Sequence, residues 1–192
     1  QNGILLIFDE IPAAIGRTGK MFVCEHFDVV PDMLVIGKGL GGGIFPLAAL
    51  MVREDLDLVG DRALGHYTHE KSSVGCAAAL ATIDCLFEDG LIEKSAWLGQ
   101  KGLQYLSDLK TQYPSIHEAR GLGLFFGIEL RKYGKPASQL ADKMMYHSLS
   151  NGLSYKVGGG CVLTLCPPLT ITEQELFRAF EIIELGLQEI SN

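Results

Sequence analysis

Apolar and polar positions follow two different patterns along this chain. From residue 1 to about 95, short continuous apolar runs are separated by glycine-rich turns. Ile4–Phe8 is apolar throughout and ends at Asp9-Glu10, which reads as a strand buried on both faces of a parallel sheet. Met33–Ile36 reads as a second strand, ending at Gly37-Lys38, and Leu47–Val52 as a third, between Pro46 and Arg53. Ser72 or Ser73 then caps an Ala-rich helix predicted over Val74–Phe87. Apolar residues at 91, 92, 98, 103, 106 and 109 predict a further helix over Leu91–Leu109. From about residue 115 the pattern changes. Leu122–Leu130 reads as an apolar strand, and Ala137–Ser150 as an amphipathic helix stopped by Asn151-Gly152. Cys161–Cys166 reads as a strand closed by Pro167-Pro168, and Thr172 with Glu175 forms a capping-box signal for a last helix over Glu173–Ile190. The first half is therefore α/β and the second a small α+β domain, with no internal repeat and no low-complexity segment.

Composition narrows the possibilities. The 192 residues are 47% hydrophobic and 20% charged, enough apolar material for a core, so disorder is excluded. A net charge of −7 and a pI near 5.2 argue against a nucleic-acid partner, which calls for a basic face. The longest uncharged runs, Gly39–Val52 and Val157–Thr172, are shorter than the roughly 20 residues of a membrane-spanning helix and contain Gly and Pro. The five cysteines show no CxxC spacing and no histidine at ligand distance, so no metal site is expected. Their odd number suits a reducing, cytoplasmic setting, with most of them serving as small buried hydrophobes. The chain opens Gln1-Asn2-Gly3, without an initiator Met or signal peptide, and runs directly into Ile4–Phe8. A strand buried on both faces needs neighbours on both sides, so a preceding segment is expected outside this sequence.

Two residues carry candidate chemistry. Asp9 stands at the carboxyl end of the first strand, the edge at which open α/β sheets bind ligands. Lys38 stands at the end of the next strand, followed by Gly39-Leu40-Gly41-Gly42-Gly43. A lysine in a low-dielectric, glycine-dense setting has its amine form favoured, as imine chemistry requires, and glycines let backbone approach a bulky ligand. Taken singly, an acid at a strand end is a helix cap or a solvated charge more often than a ligand, and Gly-Lys-Gly is an ordinary turn. The Gly-rich stretch is not a nucleotide phosphate loop, because its lysine precedes the glycines and no Gly-Lys-Ser/Thr follows. Together, an acid and a lysine on neighbouring strand ends point to pyridoxal phosphate. The lysine would form a Schiff base, and the acid would keep the pyridine nitrogen protonated.

The wider text strengthens this. Asp9-Glu10, Gly16-Arg17-Thr18-Gly19-Lys20-Met21-Phe22, Cys24-Glu25-His26-Phe27, Pro31-Asp32, Gly37-Lys38-Gly39-Leu40-Gly41-Gly42-Gly43 and Pro46-Leu47 follow one another in order. This series closely resembles the class III aminotransferases, pyridoxal-phosphate enzymes of fold type I. The resemblance is dense over residues 5–52, weaker around residue 68, and returns at Arg120-Gly121-Leu122-Gly123-Leu124 and Pro167-Pro168-Leu169. It implies an α/β fold: part of a large cofactor domain over residues 1–95, with a mostly parallel sheet and helices, then a linking helix and small C-terminal domain over residues 96–192. It implies a cytoplasmic homodimer with active sites at the interface, acting on a small amine or amino acid and a keto acid or aldehyde, without nucleic acid or membrane. By position, Asp9 matches the aspartate paired with the pyridine nitrogen and Lys38 the Schiff-base lysine. Thr68, in Gly65-His66-Tyr67-Thr68-His69, matches the threonine that reaches the cofactor phosphate of the neighbouring subunit, where a hydroxyl donor makes sense. His66 and His69 flank it as candidate acid–base groups, against the Schiff-base lysine as proton shuttle. The chain is then about the second half of a larger enzyme, and the ring-stacking aromatic and the phosphate-binding amides precede it.

Three positions depart from the family pattern. A glutamine near the cofactor's phenolic oxygen is replaced by Pro12, which has neither a polar side chain nor an N–H. The arginine that holds the substrate carboxylate in many members is replaced by Thr164, and a hydroxyl does not equal a bidentate guanidinium fork. The Asn-Pro after the threonine loop is Ser72-Ser73. Arg120 is either a substitute carboxylate binder or a structural arginine, and Lys156, before Gly158-Gly159-Gly160, is a second cationic candidate. The resemblance therefore implies amino-group transfer through Lys38. The alternative is a racemase or an ammonia-lyase of the same family acting on amino phosphates or phosphonates, and a catalytically inactive interaction protein is the third possibility.

Overall fold

The computed structural model describes residues 3–62, 65, 67–68 and 70–190. The chain divides into two units, residues 1–16 with 20–92, and residues 17–19 with 93–192.

The first unit is built on a three-stranded sheet. β1 (Ile7–Asp9) pairs in parallel with β2 (Met33–Ile36), which pairs antiparallel with β3 (Ala49–Val52). The start of β2 is pinned by polar contacts. Leu6 N–H donates to Asp32 Oδ2 at 2.7 Å, and Arg53 forms an ion pair with Asp32 Oδ1 at 2.5 Å. α1 (Ser73–Glu88) starts at Ser72, whose Oγ accepts the Gly75 N–H. α1 buries only Gly75, Ala79 and Leu86, so its other apolar side chains reach solvent.

β1 takes up only the end of the expected Ile4–Phe8 strand, and within this chain the run is open to solvent: Ile4 is 83% and Ile7 55% exposed, with β2 the one strand paired to β1 among the described residues. One expectation fails: most of the cysteines are not buried. Three of the five cysteines, Cys76, Cys85 and Cys166, are exposed, and only Cys24 and Cys161 are buried. Cys76 and Cys85 lie on α1 away from its narrow buried stripe.

The second unit closes around its own core. α2 (Leu91–Gln112) leads to an antiparallel sheet of β4 (Ile116–Leu122), β5 (Phe125–Lys132), β6 (Lys135–Pro136), β7 (Lys156–Gly158) and β8 (Val162–Leu165), ordered β4-β5-β8-β7 with β6 beside β5. α3 (Ser138–Ser150) and α4 (Glu173–Ile190) complete it. Alternation along β5 sends Phe126, Ile128 and Leu130 inward, where they join Leu98, Leu106, Met144, Leu163, Phe180 and Ile183, all essentially inaccessible to solvent. Phe126 meets Phe180 edge-on at 5.5 Å, and Tyr105 stacks on Phe180 while donating its hydroxyl to Glu184 at 2.8 Å. The expected capping box is present: Thr172 N–H donates to Glu175 Oε2 at 2.8 Å, and Glu175 N–H to Thr172 Oγ1 at 3.2 Å.

The predicted single strand Leu122–Leu130 is instead the end of β4 and most of β5, joined by a reversal at Gly123-Leu124. Gly123 has φ +52°, and Leu124 faces the core, so the turn interrupts no apolar text. Gly123 also lies against the backbone of Thr18, and Gly19 packs so closely on Ala96 that a Cβ would stand 2.8 Å away. Arg17 joins this contact. Its guanidinium donates to the Leu124 and Pro167 carbonyls, and its own carbonyl accepts from Leu124 N–H and Ser95 Oγ.

Candidate active site

Asp9 and Lys38 emerge from adjacent parallel strands at the same edge. Asp9 pairs in register with Val35, and Lys38 follows Val35 by three residues. Parallel neighbours lie about 4.8 Å apart, so the backbones of both residues stand at the carboxyl end of the sheet. Asp9 is exposed; its Oδ1 accepts the Ile11 N–H at 3.2 Å, which leaves most of the carboxylate's acceptor capacity open. Lys38 opens a 3₁₀ turn over Lys38–Gly41 with φ +47°, a left-handed conformation uncommon for a residue with a side chain. Such a conformation costs on the order of 1 kcal/mol and persists where surrounding structure imposes it. Here Gly37 behind it and Gly42 ahead pack tightly: a Cβ on Gly37 would touch Ala48 at 3.4 Å, and one on Gly42 would meet Thr82 of α1 at 3.0 Å. Lys38 is exposed within this chain and stands at the start of a turn, past the end of β2.

Glu10, adjacent to Asp9, has a role that its position in the sequence did not disclose. It is 3% exposed and its two carboxylate oxygens accept the Val23 N–H at 2.6 Å and the Cys24 N–H at 2.8 Å. Its own N–H donates to the Val35 carbonyl at 2.9 Å. Glu10 thus ties the 3₁₀ turn Val23–His26 to the end of β1 and fixes the backbone from which Asp9 projects. Burial pushes the Cys24 thiol upward from its ordinary value, and the carboxylates of Glu10 and Glu25 add to the shift.

The other candidates stand as follows. Thr68 lies exposed in a turn, with no hydrogen bond to Asp9 or Lys38 among the described residues. His66 and His69 lie outside the described residues. Pro12 is exposed in the turn after Asp9. Arg120, on β4, is ion-paired to Glu118 at 2.5 Å and Glu129 at 3.3 Å. Glu129 is held below the usual carboxylate range, first by Arg131 and then by Arg120. Thr164, on β8, makes only a long contact with its neighbour, Oγ1 to the Val162 carbonyl at 3.4 Å. Thr164 pairs with Gly127 on one side and Lys156 on the other, and Gly127 pairs with Arg120. Arg120, Thr164 and Lys156, far apart in sequence, thus share one cross-strand row.

An acid and a primary amine on one sheet edge, both accessible and framed by close-packed glycines, form a donor set that fits pyridoxal phosphate: a carboxylate for a protonated ring nitrogen and an amine for an aldehyde.

Comparison with known proteins agrees. The family model for Aminotransferase class-III matches residues 1–187. The chain is 40% identical over 197 residues to (R)-1-hydroxy-2-aminoethylphosphonate ammonia-lyase of Vibrio splendidus, covering 99% of this chain and 40% of that protein. It is 36% identical to ornithine aminotransferase of a Geobacillus species, covering 96% of this chain and 44% of the relative. The crystal structure of acetylornithine aminotransferase from Elizabethkingia anophelis superposes with a TM-score of 0.89 at 33% identity, over 97% of this chain and 46% of that one. The chain thus spans less than half the length of these relatives.

Proposed function

The chain belongs to the class III aminotransferases, and from that premise we propose that its protein transfers an amino group between a small amine or amino acid and a keto acid or aldehyde, with Lys38 and Asp9 as the reacting pair. The observation that carries the proposal is their placement on adjacent strand ends, with Lys38 held in a left-handed backbone conformation. Enzymes of this family use pyridoxal phosphate, which when bound supplies an electrophilic aldehyde and an electron-withdrawing ring. Lys38 Nζ would hold the cofactor by its aldehyde and would be the group that takes and returns the substrate's proton. The Asp9 carboxylate would favour a proton on the ring nitrogen by charge and hydrogen bonding. Glu10 and the packed glycines keep both backbones in place. Thr68 donates its hydroxyl to a phosphate oxygen in a neighbouring subunit of a cytoplasmic homodimer. Residues 1–95 form the later part of the cofactor domain, and residues 96–192 the linking helix and small domain. No helix among the described residues is long and apolar enough to cross a membrane.

A second reading has a specific observation behind it. The Vibrio relative is by name an ammonia-lyase, and Thr164 lacks the guanidinium that suits a carboxylate substrate. Adding an amine donor without an acceptor separates the two readings. Transamination converts bound cofactor to its pyridoxamine form, whereas elimination returns the aldehyde form. In either case Lys38→Ala removes the visible absorbance of lysine-bound cofactor; persistence of that absorbance contradicts the assignment.

A further inference from the structure

The second unit holds a cavity of about 950 Å³, a volume in the range of small-molecule sites. It opens between the end of α2, the β5–β6 hairpin, the start of α3 and the end of α4, so every wall belongs to one unit. Tyr113, Pro136, Leu140 and Ile190 give it apolar walls, and Leu187, 1% exposed, joins it to the core. Its charged lining residues are Arg131, Lys132 and Lys143; among the described residues no Asp or Glu lines it, in a chain of net charge −7. Lys132 and Lys143 have no carboxylate partner among the described residues. Arg131 donates its Nε to Glu129 at 2.7 Å, and its Nη1 makes only a long 3.5 Å contact with the Gly134 carbonyl. The hairpin that carries two of these cations works against its own stability. Lys132 pairs directly with Lys135 across the ladder, a like-charge pair that is destabilising. Tyr133 takes the first position of the two-residue turn at φ +54°, where Asn or Gly is preferred. Its ring is 92% exposed, with Lys132 Nζ 5.9 Å from the ring centre. Local rules broken together at one exposed place are a mark of function.

We propose that this cavity binds a small organic anion: an apolar, ring-bearing body with a single phosphate or carboxylate head. The sign of the lining decides the charge. Three cations repel an amine, so the small amines of the reaction above are not its occupants. They attract an anionic head, which accepts from the Arg131 Nη groups and from the two lysines, and which offsets the repulsion between Lys132 and Lys135. The walls decide the body. A head alone would meet exposed lysines that water and salt screen, whereas a body on the Tyr113, Pro136, Leu140 and Ile190 walls gains by burial and holds the head beside its partners. Tyr133 stands at the lip, where its ring can stack on that of the ligand.

Calorimetric titration of the cofactor-loaded protein with phenyl phosphate, phenylacetate, benzyl alcohol and inorganic phosphate tests this by separating head from body. Phenyl phosphate or phenylacetate should bind roughly tenfold or more tighter than benzyl alcohol, which has no charge, and than inorganic phosphate, which has no body. The tighter of the first two identifies the head. The double variant Lys132→Gln/Lys143→Gln should weaken that binding about tenfold. Both side chains are exposed, so its melting temperature should stay near that of the wild type. Inorganic phosphate binding as tightly as phenyl phosphate, benzyl alcohol as tightly as phenylacetate, no binding of any probe, or an unchanged affinity in the folded double variant overturns the proposal.

Discussion

The two units of this chain solve the folding problem differently. The second unit buries Phe126, Phe180, Leu98, Leu106, Met144 and Ile183 almost completely between an antiparallel sheet and its helices. The first unit, within this chain, buries Ile15, Leu34, Ile36, Leu40 and Leu86 but leaves Ile4, Ile7, Val30 and Leu50 more than half exposed, and adds carboxylate–backbone hydrogen bonds at Asp32 and Glu10. The proposed reacting pair belongs to the first unit. Positioning of Asp9 and Lys38 therefore depends on local hydrogen bonds and glycine packing, and tolerance to mutation should differ sharply between the units.

The largest effect should be purely functional. Lys38→Ala is expected to lower turnover about 10³-fold or more, and Asp9→Asn about 10²–10³-fold. Both side chains are exposed, so denaturant midpoints should move little. A large loss of stability in either variant would mean that the pair is structural. In the second unit, Phe180→Ala should cost about 3–5 kcal/mol in urea unfolding, because the cavity would face Phe126 and Tyr105. Leu50→Ala on the exposed face of β3 should stay within about 0.5 kcal/mol in this chain. Equal costs would erase the contrast between the units.

Glu10→Gln sharpens the comparison within the first unit. It weakens two charge-assisted bonds to backbone amides at a buried site and should cost about 1.5–3 kcal/mol. Because the variant loosens the backbone under Asp9, turnover should fall along with stability. The smallest effect is at Glu175. Hydrogen bonds from the Thr172 backbone and then its hydroxyl hold this carboxyl below its ordinary value. A depressed carboxyl stabilises the fold above its unfolded value and loses that contribution as pH falls through the folded value. Glu175→Gln should therefore lower the melting temperature slightly at neutral pH and flatten its decline in acid. A variant that follows the wild-type acid profile would contradict the cap's role.

Legibility followed the same division. β2 and α4 match their predicted bounds, and α1, α2 and α3 lie within a few residues of theirs, because capping residues and apolar spacing are local signals. β4 was hidden by a bulge between Ile116 and Glu118 that shifts its alternation, and the β4–β5 turn by Leu124, an apolar residue at a reversal. β7 is three residues long and gave no periodic signal. The strand-end placement of Asp9 and Lys38 was legible because apolar runs and glycine density mark those ends. Glu10, Arg17 and Asp32 sit in equally distinctive text, yet the structure uses them to hold backbone. The Arg120–Thr164–Lys156 row needs three strand registers at once, which no local pattern contains.

The central claim is that Lys38 is the amine that meets the cofactor. Incubation of the protein with pyridoxal phosphate, borohydride reduction and peptide mapping by mass spectrometry tests it directly. The account predicts a single reduced pyridoxyl adduct on Lys38 at one per chain, absent in Lys38→Ala. An adduct on another lysine, or label spread over the exposed lysines with no preference for Lys38, would contradict it.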